Sequence, residues 1–175
     1  MSKHLGFFHC QALLAVFIAG SVLTPLHAQI TPSAADMVEQ LKTQPPRTRS
    51  LRNLTIESSA PEAKPSLSLL IQFDFNSARV KPESQQALTN LAQALQSKEL
   101  LESKFAVEGH TDAKGRADYN LKLSQQRADA VRAFLASNGV QDSRLAAVGK
   151  GATELANAAD PQGAENRRVR IVNLN

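Results

Sequence analysis

The chain has 175 residues, enough for one globular domain and some extra, and a net charge of +4 with acids and bases interspersed. No polybasic stripe is present, so the composition argues against a nucleic-acid partner. One Cys, one Tyr and no Trp complete the exclusions: neither a disulfide framework nor an aromatic sugar-binding surface is visible.

The N-terminus carries a basic start, MSKH, then an apolar run of twelve residues, ALLAVFIAGSVL, then TPLHA ending in the small residue Ala28. This pattern predicts a cleavable signal peptide over residues 1–28, and the run is short for a membrane span of roughly 20 residues. Cleavage there removes Cys10, His4, His9 and His27. One His then remains, His110, which excludes a multi-His metal site; no metal and no cofactor are expected.

Residues 29–65 read as a short N-terminal helix followed by a Pro/Arg-rich linker. DMVEQLK places Met37, Val38 and Leu41 on one helical side. Pro45 and Pro46 forbid its continuation. Arg47, Arg49 and Arg52 form a basic cluster, which is either a solvated linker or a contact for an acidic partner or a phosphate; residues 29–65 could also meet an envelope protein. SSAPEAKPS at 58–66 has no core residues and sets the expected domain boundary.

From residue 66 the pattern turns globular. SLSLLIQFDF alternates and predicts a half-buried strand with Leu67, Leu69, Ile71, Phe73 and Phe75 on one face. Pro82 suits a first helical position, and Leu88, Leu91, Ala92 and Leu95 repeat at helical spacing. KFAVEGH predicts a second strand with Phe105 and Val107 inward. Asp118 is the expected N-cap of a long helix reaching about Asn138, with Leu121, Ser124, Ala128, Val131 and Leu135 packed and Gly139 ending it. RLAAVGK predicts a third strand. Asp160-Pro161 opens a short helix carrying Asn166 and Arg167, and VRIVNL is a fourth strand. The order βαβαβ(α)β predicts an α+β two-layer sandwich with helices on one mixed sheet.

The chemistry concentrates in EGHTDAKGRADYNLKLSQQRA, residues 108–128. A loop between a strand and a helix N-terminus is a good place for a ligand, and its N–H groups favour an anion. Asn120 and Arg127 are two helical turns apart and share a face. Asp112 and Arg127 either pair with each other to pin the loop or clamp a zwitterion, with Asp112 taking an ammonium and Arg127 a carboxylate. A hydrolytic reading is weak. Ser124 lies inside a helix with no nucleophile elbow, and Glu108 with Asp112 lacks a sugar-binding surface. His110 is expected to be a structural hydrogen-bonder.

Four motifs occur together: Thr111-Asp112-x-x-Gly115, Asn120, Leu123-Ser124-x-x-Arg127-Ala128 and Asn166-Arg167-Arg168-Val169. With FDFNSA at 73–78, they resemble the OmpA-like peptidoglycan-binding domain family over about residues 67–174. The match departs at Ala164, where the family often has Arg, and near Leu155, where it often has Pro. The resemblance implies a domain at 66–175 that is no enzyme. It implies a non-covalent anchor to peptidoglycan in the periplasm, associated with the outer membrane or cell wall. The ligand implied is the diaminopimelate residue of the peptide stem, held by Asp112 and Arg127. Thr111, Asn120, Leu123, Asp74 and Phe75 would line the pocket. Arg167 and Arg168 either brace the Asp112 loop or reach the ligand. The alternative is a structural or adaptor subunit in which the Asp112–Arg127 pair only supports the loop.

Overall fold

The computed structural model describes residues 31–43, 49–51, 54–56 and 63–175. The expected signal peptide, and the Arg47 and Arg52 of the basic cluster, lie outside the described residues. The first element is helix α1, Ala34–Leu41, opened by a reciprocal cap: Asp36 N–H donates to Ser33 Oγ, and Ser33 N–H donates back to Asp36. Strands β1, Arg49–Leu51, and β2, Leu54–Ile56, pair antiparallel within the stretch expected to be linker.

Strand β3 is Ser66–Leu69, helix α2 Pro82–Leu95, strand β4 Phe105–His110, helix α3 Ala117–Ser137, strand β5 Leu145–Gly151 and strand β6 Val169–Asn173. The sheet order is β3-β6-β4-β5, with β4 and β5 parallel and the other two pairings antiparallel. Helices pack on this mixed sheet as the α+β reading expects. Leu88, Leu91 and Leu95 of α2 meet Phe105 and Val107 of β4, Val131 and Leu135 of α3, and Ile171 of β6 in one core.

Helix α1 belongs to that core. Met37 and Leu41 are fully buried in it, and Asn173 Nδ2 donates to the Leu41 carbonyl at 2.9 Å. Helix α1 thus shares one core with the elements beyond the boundary expected at 58–66. An eight-residue helix is marginal alone, and its two apolar anchors need the larger core.

The first strand is shorter than the alternation predicts. Leu69 pairs with Val169, the first residue of β6, and there the partner strand runs out. Ile71 still enters the core, but Phe73 only bridges to Val80 across a tight loop, and Phe75 is fully exposed. Asn76, at φ 51°, turns that loop through the left-handed region.

Helix α3 starts at Ala117 with Arg116 at the cap position, and Asp118 sits in the first turn rather than at the cap. An acid there still suits the helix dipole. Its buried stripe is Asn120, Ser124, Ala128, Val131 and Leu135, while Leu121 is 51% exposed. Gly139, at φ +95°, ends the helix as expected. The turn expected from Asp160-Pro161 forms later, at Ala164–Asn166, and leaves Arg167 just outside it.

Two glycines let α3 lie against the sheet. Gly109 and Gly149 are paired in register across β4 and β5, and a Cβ on either would meet the backbone of Ser124 or Gln125. Gln125 then closes the outer side of β5: its Oε1 accepts from Gly149 N–H at 2.7 Å and its Nε2 donates to the Ala147 carbonyl at 3.3 Å. Ser124 Oγ accepts from Gly151 N–H in the same way.

Candidate functional site

The loop leaving β4 is built by its own carbonyls and one amide. Asn120 is buried where an apolar residue was expected because its Nδ2 donates to the carbonyls of Lys114 at 3.0 Å and Asp112 at 3.3 Å. Gly115 supplies the positive φ of +94° that closes the turn, with open space around it. Thr111 N–H donates to the Gly151 carbonyl, and Ala113 N–H to the Pro161 carbonyl, so the loop is tied to β5 and to the segment before β6.

Beside it lies an open cleft of about 450 Å³. All seven residues singled out in the sequence line it: Asp74 and Phe75 from the first loop, Thr111 and Asp112 from the second, Asn120, Leu123 and Arg127 from α3. Phe73, Asn76, Lys114, Tyr119 and Arg167 also line it. Tyr119 was legible in principle, since Tyr119, Leu123 and Arg127 repeat at four-residue spacing on α3. Phe73 was assigned to a strand face that does not extend that far.

Asp112 and Arg127 do not pair with each other. Asp112 Oδ2 receives Arg167 Nη1 at 2.7 Å, and its Oδ1 receives the Lys114 N–H at 3.1 Å. Arg168, its neighbour, turns the other way and donates to the Glu154 carbonyl. Arg127 stacks over the Phe73 ring, 4.8 Å from its centroid, and its Nε donates to the Ser77 carbonyl at 3.2 Å. Burial pulls its pKa below the ordinary arginine value, and nearby Arg167 adds to the effect. It stays a cation at neutral pH. Among the described residues no carboxylate pairs with its guanidinium, and no acceptor meets Nη1 or Nη2. The cleft therefore presents a fixed carboxylate oxygen pair and an unpaired, half-buried cationic fork.

Behind the loop, on the sheet face away from α3, lies a charged cluster. Glu108 pairs with Arg170 at 3.0 Å and Lys150 at 3.6 Å, and Glu154 pairs with Lys150 at 2.9 Å. His110 is buried among them, and among the described residues neither ring nitrogen finds a hydrogen-bond partner, which corrects its expected role as a structural hydrogen-bonder. Burial, then Arg168 and Arg170, lower its pKa from 6.5 to about 4. The unfolded chain thus takes up this proton first as pH falls. The associated stability is complete above pH 6.5 and is lost on the way down to about pH 4. The loss is on the order of 3 kcal/mol. Urea midpoints at pH 7 and pH 4.5 should fall further apart in the wild type than in His110→Phe. Equal spacing in the two would remove His110 as the source.

Residues 72–169, more than half of the chain, match the sequence profile of the OmpA family. Outer membrane protein A of Bordetella avium is 42% identical over 101 residues, 57% of this chain and 51% of that protein. The peptidoglycan-associated lipoprotein of Brucella melitensis is 41% identical over 81 residues, 46% of this chain and 47% of that protein. The chain spans about half the length of the curated relatives it matches. Among solved structures, the peptidoglycan-associated lipoprotein from Burkholderia pseudomallei superposes with a TM-score of 0.51 at 35% identity. That match covers 61% of this chain and 88% of that one. The profile match runs from the first cleft loop to the start of β6, and with it the fold and all four spaced motifs fall inside one family: the chain belongs to the OmpA family.

Proposed function

We propose that this chain binds peptidoglycan without covalent attachment, in the periplasm, and that the cleft takes the zwitterionic far end of a diaminopimelate residue. Asp112 accepts from the ammonium and Arg127 donates both Nη groups to the carboxylate. Thr111, Asn120, Leu123, Asp74 and Phe75 enclose the ligand. Two relatives carry peptidoglycan association in their names, which supports the polymer. The observation that carries the ligand is Arg127: a half-buried fork with no carboxylate, facing the same cleft as Asp112. The alternative, in which Arg127 merely supports the loop through Asp112, is disfavoured because Arg167 occupies that place. The site is a binding site in which no bond is made or broken. Export by residues 1–28 fits this setting. An envelope partner for residues 29–65 would meet surfaces other than Met37 and Leu41, which the core already covers.

Pelleting with purified diaminopimelate-type peptidoglycan tests the reading. Wild type should sediment with the polymer, and Asp112→Ala should stay in solution while remaining folded, with its melting temperature within a few degrees of wild type. A folded Asp112→Ala protein that still pellets would remove Asp112 from the site.

A further inference from the structure

Asp112 faces the cleft already oriented. Its side chain is 15% exposed and both oxygens are engaged, one by Lys114 N–H and one by Arg167 Nη1. Arg167 is itself held from behind. Asn166, fully buried, donates Nδ2 to the carbonyls of Asp160 at 2.8 Å and Asn157 at 3.2 Å, and its Oδ1 accepts from Asn157 N–H at 2.9 Å. Arg167 N–H donates to the Ala164 carbonyl at 3.0 Å. The Pro161 carbonyl receives Ala113 N–H, so the segment carrying Arg167 and the loop carrying Asp112 are tied twice.

We propose that Arg167 is a positioning residue for ligand binding: it acts through Asp112, turning the carboxylate so that its remaining lone pairs receive the ligand's ammonium. The proposal rests on the zwitterion reading above. A carboxylate offers about four lone-pair directions across its two oxygens, and two are used here. The terminal torsion of an Asp side chain has broad wells, so a single loop N–H leaves the carboxylate free to rotate. The Arg167 contact removes that freedom before the ligand arrives, which is what pre-organisation contributes to affinity. Arg167 also cancels the formal charge of Asp112, so the pair attracts the ammonium by direction at short range rather than by a long-range field.

The test is an NMR titration of the full chain with an uncross-linked stem tripeptide ending in meso-diaminopimelate, which reads affinities into the millimolar range. Arg167→Met should bind about 10- to 30-fold more weakly than wild type, with its melting temperature within a few degrees of wild type. Arg167→Lys should recover part of the loss, because a single ammonium reaches the one oxygen that Nη1 holds. In an Asp112→Asn background the same Arg167→Met change should have less than about a twofold effect, since the group it positions no longer pairs with it. Wild-type affinity in Arg167→Met would overturn the proposal. So would a full further loss in the Asp112→Asn background, which would mean that Arg167 touches the ligand directly. Failure of the wild type to bind the peptide strikes the zwitterion reading instead and is distinguishable from both.

Discussion

A lysine-type stem peptide should bind about 30- to 1000-fold more weakly than a diaminopimelate-type stem of otherwise identical sequence. The two ligands differ by one carboxylate at the far end. With the lysine stem, Asp112 still finds an ammonium, but Arg127 finds no anion. Its Nε is committed to the Ser77 carbonyl and its face to Phe73, so the guanidinium cannot swing out to water without giving up both. A desolvated fork without its carboxylate and a lost two-pronged contact together amount to roughly 2–4 kcal/mol. Arg127→Lys should recover little, since a point charge matches neither the fork nor the stack. Acylating the far amine, as a cross-link does, should weaken binding from the Asp112 side. Calorimetry with matched soluble stems measures each of these. Equal affinity for both stem types would return Arg127 to a purely architectural role.

Gly109→Ala should be the most damaging single-methyl substitution in the domain. The new Cβ would stand 2.2 Å from the Ser124 carbonyl oxygen and 3.0 Å from its carbon, both backbone atoms of α3. Nothing flexible can yield, so the helix must lift off β4. Overpacking usually costs about 1–3 kcal/mol. Here the clash is with a helix that carries Asn120 and Arg127, and at least about 3 kcal/mol is expected, a large fraction of the roughly 5–15 kcal/mol by which a domain is usually stable. Gly115→Ala is the control. Its added methyl has nothing within 4 Å, and only the φ of +94° opposes it. That strain is about 1–2 kcal/mol. Urea denaturation of the two variants should therefore separate widely, and comparable midpoints would mean that α3 rides higher on the sheet than the structure has it.

Periodic segments were readable and their ends were not. The helical repeat of Leu88, Leu91 and Leu95 and the apolar alternation of Phe105 and Val107 marked α2 and β4, because spacing alone decides which face is buried. The strand through Phe75 failed because alternation continues past the point where a partner exists: β6 begins at Val169, and no pattern in SLSLLIQFDF records that. Leu121 against Asn120 failed for a different reason. Both fit the helical stripe, and the choice was made by two loop carbonyls that needed a donor. Arg144 shows the same limit more sharply. It is buried and donates to the carbonyls of Ser103, Leu95 and Leu100, a staple across the end of α2 and the connection to β4 that comes within its reach only after folding.

The site residues were gathered by motif, and the cleft brings them together, but the pairing among them was not legible. Asp112 and Arg127 share one element junction, which made a mutual pair plausible from spacing. The partner Asp112 takes is 55 residues further on, delivered by β6 crossing beside β4.

The hydrogen bonds that Gln125 makes to Gly149 and Ala147 have a meaning beyond packing. An edge strand with unsatisfied backbone groups is a template onto which another chain can add its own strand. Here the amide of one side chain imitates that incoming strand, donor to acceptor and acceptor to donor, over the middle of β5. Ser124 extends the imitation to Gly151. Copies meeting edge to edge would find the middle of this edge already occupied, which blocks the register through which they could add strand to strand.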